Sequence, residues 1–211
     1  MTGTALDRTA IITGLRDLVA ELRDAGEVAG IRLVGGAALA LRYFDRGTTQ
    51  DLDILHINPG SDESVAAAAE RVAYKHGWDA KWLNFEVTRA DAIPTLGRAV
   101  EWETIHDEDG IVIEVASKEA MLVMKLQANR PGRDTRDIRL LLALCDVHTL
   151  EDAGDLYEQF YSGDILTPRA GKIGHLDQLV VLPDRSVASG HVLIATSRVR
   201  LATRTYLSRS S

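Results

Sequence analysis

The sequence predicts an α+β protein in which a mixed sheet flanked by helices is followed by a helical C-terminal part. Over residues 1–116, apolar residues at helical spacing alternate with short apolar runs that are typical of strands. Between residues 117 and 179 only the helical spacing recurs. The length of 211 residues suits one domain with a small appendage better than two full domains. We therefore expect an α/β core at 1–116, a helical part at 117–179, and a basic tail at 180–211 that could form a hairpin or pack loosely.

The elements of the α/β core follow from capping residues, apolar spacing and turn residues. Asp7 is suited to cap the first helix, because apolar residues recur at helical spacing directly after it. Asp109 and Gly110 form a hairpin turn signal between the last two strands. In order, we expect a helix ended by Gly26 and Gly30, a strand at 31–34, a helix at 37–44, a strand at 51–57, a helix from Ser61 or Asp62 to His76, and strands at 81–87, 98–106 and 111–115.

The helical part is divided by capping residues and by one Pro-Gly pair. Ser117 and Thr149 are suited to cap helices, and the pair at 131–132 breaks the helical pattern. We expect helices at 118–129, 133–146 and 150–161, and a last helix that begins at Pro168 and runs toward residue 179.

The charge balance limits the kinds of partner that the whole surface can attract. The chain has 31 acidic and 24 basic residues and a net charge of −7, so it is not attracted as a whole to nucleic acid. Basic residues nevertheless dominate two stretches, 118–139 and the residues after Asp184. These stretches are either solvated surfaces or a basic rim that binds phosphates.

Cysteine content and apolar runs indicate the compartment. Cys145 is the only cysteine, so no intramolecular disulfide can form, and its apolar surroundings predict a buried thiol. The N-terminus lacks a basic segment followed by an apolar one, and no apolar run is as long as a membrane span. We therefore expect a cytoplasmic protein that does not contact a membrane.

Two carboxylates on the second predicted strand are the first candidates for chemistry. Side chains alternate across a strand, so Asp51 and Asp53 point to the same side, while Leu52 and Ile54 point into the core. Adjacent carboxylates repel each other unless a cation joins them, and Mg²⁺ bridges carboxylates to substrate phosphates. The sequence thus predicts a Mg²⁺ or Mn²⁺ site at Asp51 and Asp53; the alternative is two acids on an exposed strand edge.

A glycine pair and a short polar segment lie next to these acids. Gly35 and Gly36 end a strand and open a helix, which lets the backbone approach an anion closely. Arg46 can bind phosphate with two donors, and the hydroxyls of Thr48 and Thr49 can donate to phosphate or carboxylate oxygens. The alternative is an ordinary tight turn followed by loop residues that satisfy local hydrogen bonds.

The helical part contributes one lysine and two aspartates. Lys125 interrupts an otherwise apolar stretch, so its ammonium group either reaches water or faces a buried anion. Asp134 and Asp137 are three residues apart on a predicted helix and share one face. These aspartates could instead pair with Arg133 or Arg136.

These residues resemble a known family. Residues 33–42 and 46–55, which read Leu-Val-Gly-Gly-Ala-Ala-Leu-Ala-Leu-Arg and Arg-Gly-Thr-Thr-Gln-Asp-Leu-Asp-Ile-Leu, resemble the first motif of the DNA polymerase β-like nucleotidyltransferase superfamily. Together with 116–128 and 133–138, they are similar to the AbiEii-type and MenT-type bacterial nucleotidyltransferase toxins. The resemblance covers about 31–145, is diffuse over 150–179 and is absent beyond about 180. Many relatives have Gly-Ser at the position of Gly35-Gly36, so one side-chain contact to phosphate is missing here.

The resemblance implies a minimal polymerase β-like fold whose helical part completes the active site. It implies that Asp51 and Asp53 hold metal ions, that Gly35 and Gly36 contact the triphosphate, that Lys125 binds phosphate, and that Asp137 holds or orients groups, with Asp134 as a near alternative. Many members of the superfamily use a third carboxylate on a neighbouring strand, for which Glu114 is the best candidate; otherwise Glu114 faces outward.

The resemblance also implies a reaction and partners. The enzyme would transfer a nucleoside monophosphate from an NTP to RNA, chiefly to the 3′ end of tRNA, as the toxin of a toxin–antitoxin pair with a cognate antitoxin protein. One alternative is a small-molecule acceptor such as an aminoglycoside. Another is a catalytically silent module that binds a nucleotide or a protein.

Overall fold

A five-stranded mixed sheet forms the centre of the protein in the computed structural model, which describes residues 5–89, 92–128, 130, 132–164 and 166. The spatial order is β3-β2-β1-β5-β4; β1 is antiparallel to β2 and parallel to β5, β2 is parallel to β3, and β4 is antiparallel to β5. The strands are β1 Ala29–Val34, β2 Leu52–Ile57, β3 Leu83–Asn84, β4 Trp102–Glu108 and β5 Ile111–Ala116. The α+β class with a mixed sheet flanked by helices is confirmed.

Helices precede, connect and follow the strands, and several begin at the predicted caps. Asp7 accepts a hydrogen bond from the Ala10 amide at 2.8 Å, and Ser61 accepts one from the Ser64 amide at 3.1 Å. Thr149 forms a reciprocal capping box. The helices are α1 Arg8–Asp24, α2 Gly35–Arg42, α3 Asp62–His76, α4 Glu86–Arg89, α5 Lys118–Ala128, α6 Thr135–Leu144 and α7 Leu150–Phe160.

The strand predicted at 81–87 is wrong over most of its length. Only Leu83–Asn84 pairs with β2, and Glu86–Arg89 is helical. The Oδ1 atom of Asn84 accepts a hydrogen bond from the Glu86 amide at 2.9 Å. This local bond competes with strand pairing and turns the chain into α4.

The strand predicted at 98–106 begins later than expected, at Trp102. The Arg98 amide donates to the carbonyl of Gln159 at 2.6 Å, so this part of the chain pairs with the end of α7 instead of the sheet. The Asp109-Gly110 turn and β5 agree with the prediction, and both turn residues have the positive φ that this hairpin turn requires.

The sheet has one covered face and one partly open face. In β2 and β5, buried residues alternate with half-buried ones, as expected for strands with one face in the core. Leu33, Ile54 and Ile113 belong to the buried set, whereas Asp53 and Glu114 belong to the half-buried set. The partly open face therefore leaves Asp53 accessible to a ligand.

Some predictions concern residues outside the described part of the chain. The helix from Pro168 toward residue 179 and the tail at 180–211 lie there. Among the helices that the structure describes, none has both the length and the apolar character needed to cross a membrane.

Candidate functional site

Asp51 and Asp53, which we call the acid pair, lie at the start of β2. Asp53 is opposite Val34 in the antiparallel pairing of β1 and β2, and Asp51 directly precedes the strand. The side-chain amide of Asn84 donates to Oδ2 of Asp51 at 3.3 Å. Within the described residues neither carboxylate of the acid pair has an ion-pair partner.

The electrostatic environment of Asp53 reflects this lack of a partner. Burial raises the pKa of Asp53, and the neighbouring charge of Asp51 raises it further. A hydrogen bond from Asn84 and the positive charges of Arg133 and Lys125 lower this pKa but do not reverse the shift. The acid pair is thus a place where a bound cation would relieve repulsion between two carboxylates.

Gly35 is required at its position for two independent reasons. Its φ is +68°, a conformation that L side chains rarely adopt. A Cβ atom there would also lie 2.5 Å from Oδ2 of Asp53, which is well inside van der Waals contact. The first backbone turn of α2 consequently lies directly against the acid pair.

Gly36 lies in close contact with the segment that precedes the acid pair. A Cβ atom on Gly36 would lie 2.8 Å from Nη1 of Arg46 and 2.9 Å from Oγ1 of Thr49. These two side chains occupy the space that the serine of a Gly-Ser motif would need. The Gly-Gly sequence therefore goes together with a different set of polar groups at this position.

Among the described residues, none caps the N-terminus of α2 with its side chain. Val34 occupies the N-cap position and makes no side-chain capping bond, and α2 has no acidic residue in its first turn. The first amides of a helix have no partner within the helix and attract anions. An anionic group next to Gly35 and Gly36 would satisfy them.

The segment between α2 and β2 brings only part of the predicted residues to the glycine pair. Thr49 is buried, its hydroxyl donates to the carbonyl of Asp51 at 3.2 Å, and its backbone pairs with Leu6. Thr48 is exposed and contributes its carbonyl, which accepts a hydrogen bond from Arg46 at 3.1 Å. Arg46 and Thr49 thus lie at the glycine pair, and the Thr48 side chain lies at the surface.

Lys125 faces buried anions, which settles the two alternatives for its ammonium group. Its Nζ atom lies 2.7 Å from Oδ1 of Asp134 and 3.0 Å from Oδ2 of Asp137. Asp137 also accepts hydrogen bonds from Nε of Arg46 at 3.0 and 3.1 Å. Asp134 is also bound by Arg130, whose Nε atom lies 2.8 Å from Oδ2.

These five residues, Arg46, Lys125, Arg130, Asp134 and Asp137, form what we call the charge cluster. Although burial opposes ionisation of Asp134, hydrogen bonds from Arg130 and Lys125 outweigh it and lower the pKa of this carboxyl to about 2. With three cations and two carboxylates, the charge cluster carries one net positive charge. Neither aspartate pairs with Arg133 or Arg136, so the alternative prediction that Asp134 and Asp137 form ion pairs with these two arginines is wrong.

The charge cluster lies near the acid pair. The pKa of Arg130 is raised, chiefly by its hydrogen bond to Asp134, and the charges of Asp53 and Asp51 also contribute. Arg46 contacts Asp137 and lies where a Gly36 side chain would be, and the adjacent Gly35 lies against Asp53. The site therefore places a negative pair beside a net positive cluster.

Glu114 does not join the acid pair. It lies opposite Arg32 in the pairing of β1 and β5, and Nε of Arg32 donates to Oε2 of Glu114 at 2.8 Å. The Arg32 guanidinium also stacks 4.5 Å from the ring centroid of Trp102. Asp53 is opposite Val34, two residues farther along β1, so Glu114 serves a separate ion pair on the same face of the sheet.

Two contributions to the site were missed in the sequence. Asn84, which contacts Asp51, could have been found as the only polar residue between Trp82 and Phe85, next to a buried strand. The pairing of Arg130 with Asp134 depends on the turn between α5 and α6. No local signal distinguishes Arg130 from the neighbouring arginines.

The residues fit a magnesium ion that takes most of its ligands from water and from the substrate. The described residues contain no group of three or more His, Cys, Asp or Glu side chains that could hold a metal ion. Mg²⁺ commonly binds through one or two carboxylates together with substrate phosphates. The unpaired acid pair provides those two carboxylates, and the uncapped α2 terminus lies beside them.

Comparisons with family models, curated proteins and solved structures found no match to this chain.

Proposed function

We propose that the protein is a metal-dependent nucleotidyltransferase with a polymerase β-like fold. The observation that carries this proposal is the acid pair, unpaired within the described residues, in contact with an uncapped Gly-Gly helix terminus. The sequence resemblance supplies the acceptor: RNA, chiefly the 3′ end of tRNA, with the protein acting as a toxin. It also supplies a cognate antitoxin as partner and a cytoplasmic location.

The proposed reaction is displacement at the α-phosphorus of an NTP. The acceptor oxygen forms a bond to this phosphorus, the bond to the oxygen that bridges the α- and β-phosphates breaks, and pyrophosphate leaves. The acceptor hydroxyl loses its proton to water. Mg²⁺ or Mn²⁺, held by Asp51 and Asp53, would activate the hydroxyl and neutralise the leaving group.

The chain's own residues would bind and orient the nucleotide. The amides of Gly35 and Gly36 would bind the α-phosphate, which must lie beside the acid pair for attack. Arg46 and Lys125 supply positive charge, and Asp137 fixes both by binding each of them. Lys125 has three N–H donors; one donates to Asp134, and the ammonium group also forms an ion pair with Asp137, so a donor would remain for a phosphate oxygen.

A labelling experiment tests the proposal. Full-length protein, Mg²⁺ and each of the four α-³²P-labelled NTPs are incubated with total tRNA, with an aminoglycoside, or with no acceptor. We expect label on tRNA from the wild type and from Asp155→Asn, which alters an exposed carboxylate remote from the acid pair in sequence. Asp51→Asn and Asp53→Asn should lose at least roughly 100-fold, the upper range for a residue that only supports a metal ligand.

The remaining outcomes separate the alternatives. Label on the aminoglycoside but not on tRNA would replace the RNA acceptor by a small molecule. NTP binding without any transfer would indicate a catalytically silent module. Undiminished transfer by Asp53→Asn would exclude the acid pair as the metal site.

A further inference from the structure

Three arginines lie three residues apart around the start of α6, and they differ in their partners. Arg130 binds Asp134, and Arg136 donates to the backbone carbonyl of Asp45 at 3.2 Å. Arg133 is exposed and makes no hydrogen bond or ion pair within the part of the chain that the structure describes. Its guanidinium group is therefore available to a ligand.

The backbone of Arg133 is held beside the site. The next residue, Asp134, is fully buried and binds Lys125, which in turn binds Asp137. Asp137 in turn binds Arg46, whose side chain lies against Gly36, and the neighbouring Gly35 lies against Asp53. Arg133 is thus a cation without a partner among the described residues, and it directly precedes a residue of the charge cluster.

We propose that Arg133 binds the β- and γ-phosphates of the incoming nucleotide and so makes the site selective for a triphosphate over a monophosphate. This inference rests on the proposed function and identifies which part of the substrate this residue recognises. The α-phosphate must lie at the acid pair for attack, so the two terminal phosphates extend away from it and need a separate cationic partner.

The chemistry of arginine suits this role. A guanidinium group presents a planar set of donors that can bind two phosphate oxygens at once, which a lysine cannot do. Arg130 and Arg46 have the same chemistry but are bound to Asp134 and Asp137. After transfer, the same two phosphates form the pyrophosphate product, so Arg133 would also contact the leaving group.

Arg139 provides a matched control. It lies on the same helix, is exposed, and has no hydrogen bond or ion pair among the described residues. Arg133→Ala and Arg139→Ala therefore remove the same charge from the same region, the first directly before buried Asp134 and the second farther along α6.

Calorimetry with full-length protein and Mg²⁺ tests the inference, with inorganic tripolyphosphate and orthophosphate as probes that do not depend on the base. We expect Arg133→Ala to weaken tripolyphosphate binding about 10- to 100-fold, as expected for loss of charge-assisted hydrogen bonds. Arg133→Lys should recover part of the loss, and Arg139→Ala should stay within about twofold of wild type. Orthophosphate binding should change little.

Three outcomes separate this inference from the proposed function. If Arg133→Ala and Arg139→Ala bind tripolyphosphate equally well while labelled transfer continues, the inference is wrong and the function stands. If binding depends on Arg133 but no acceptor is labelled, the polyphosphate site stands and the transferase activity is wrong. If the wild type binds neither tripolyphosphate nor any NTP, both are wrong.

Discussion

At the scale of single residues, two glycines lie in close contact with the candidate ligands of the site. Gly35 combines a positive φ with close contact to Asp53, and Gly36 is in close contact with Arg46 and Thr49. A side chain at Gly35 would displace a candidate metal ligand, whereas a side chain at Gly36 would displace a candidate phosphate ligand. Each glycine thus has a specific neighbour that can be tested.

Gly35→Ala should destabilise the protein more than Gly77→Ala does. The two glycines have nearly equal φ values, +68° and +66°, but an added Cβ meets nothing within 4 Å at Gly77. Both variants have the strain of positive φ, and only Gly35→Ala adds a contact that forces Asp53 to move, at a further cost of about 1–3 kcal/mol. Urea unfolding measures the difference, and equal unfolding free energies would contradict the close contact.

The raised pKa of Asp53 predicts how metal-free stability depends on pH. The folded state holds the Asp53 proton more tightly than the unfolded state, so this group contributes stability at low pH that is lost as pH rises through its raised pKa. Asp53→Asn should therefore be more stable than wild type without metal at pH 7. Mg²⁺ should raise the melting temperature of wild type only. A wild-type melting temperature that Mg²⁺ leaves unchanged would contradict this.

At the scale of secondary structure, the charge cluster joins the helical part to the α/β core. Lys125 comes from α5, Asp137 from α6, and Arg46 from the segment between α2 and β2. Asp134 is the N-cap residue of α6, but its carboxylate makes no capping bond and binds Lys125 and Arg130 instead. The start of α6 is thus fixed by ion pairs.

Asp134→Ala should lower the free energy of unfolding by about 1–3 kcal/mol, because it removes one hydrogen-bond acceptor from buried Lys125 but leaves Asp137 as its anionic partner. Asp155→Ala, at an exposed position on α7, should change it by less than about 0.5 kcal/mol.

The lowered pKa of Asp134 also predicts how stability depends on pH. Ionised Asp134 stabilises the folded state at pH values above the usual pKa of a carboxyl group, and this stabilisation is lost as the pH falls toward about 2. As the pH is lowered, the free energy of unfolding should therefore fall less steeply in Asp134→Ala than in the wild type. The same pH dependence in both proteins would rule out this role of Asp134.

At the scale of the whole molecule, the net charge of −7 opposes the binding of RNA, so any RNA must meet a local basic surface. Near the site, exposed Arg133 and Arg139 and the charge cluster supply positive charge. The second basic stretch, after Asp184, lies outside the described residues and enters this argument through its sequence alone.

The two basic stretches predict the salt dependence of tRNA binding. Changing the arginines after Asp184 to glutamine should weaken tRNA affinity and reduce the salt slope by about 0.7–0.9 for each lost phosphate contact. NTP binding should stay nearly unchanged, and Arg16→Gln on α1 serves as control. Fluorescence anisotropy over a salt series measures these slopes. If the wild type does not bind tRNA at low salt, a small-molecule acceptor becomes the leading hypothesis.

The sequence by itself determined the fold class, most elements and the residues of the acid pair. Caps, turns and apolar spacing are local signals, so α1, α3, α7 and the Asp109-Gly110 turn follow from them. The alternation of side chains along a strand is sufficient to place Asp51 and Asp53 on one side of β2. The prediction of a strand at 81–87 was wrong because the Asn84 side chain accepts a hydrogen bond from the Glu86 amide, which turns the chain. The spacing of apolar residues does not reveal such a bond.

Only the tertiary structure decided which charges compensate one another. Lys125, Asp134 and Asp137 were visible as candidates, but their pairing depends on how α5 and α6 pack. The same packing left Arg133 without a partner among the described residues and gave Glu114 to Arg32. Ion pairs between distant segments depend on distances of about 3 to 4 Å that only folding sets, whereas caps, turns and strand alternation depend on neighbours in the chain.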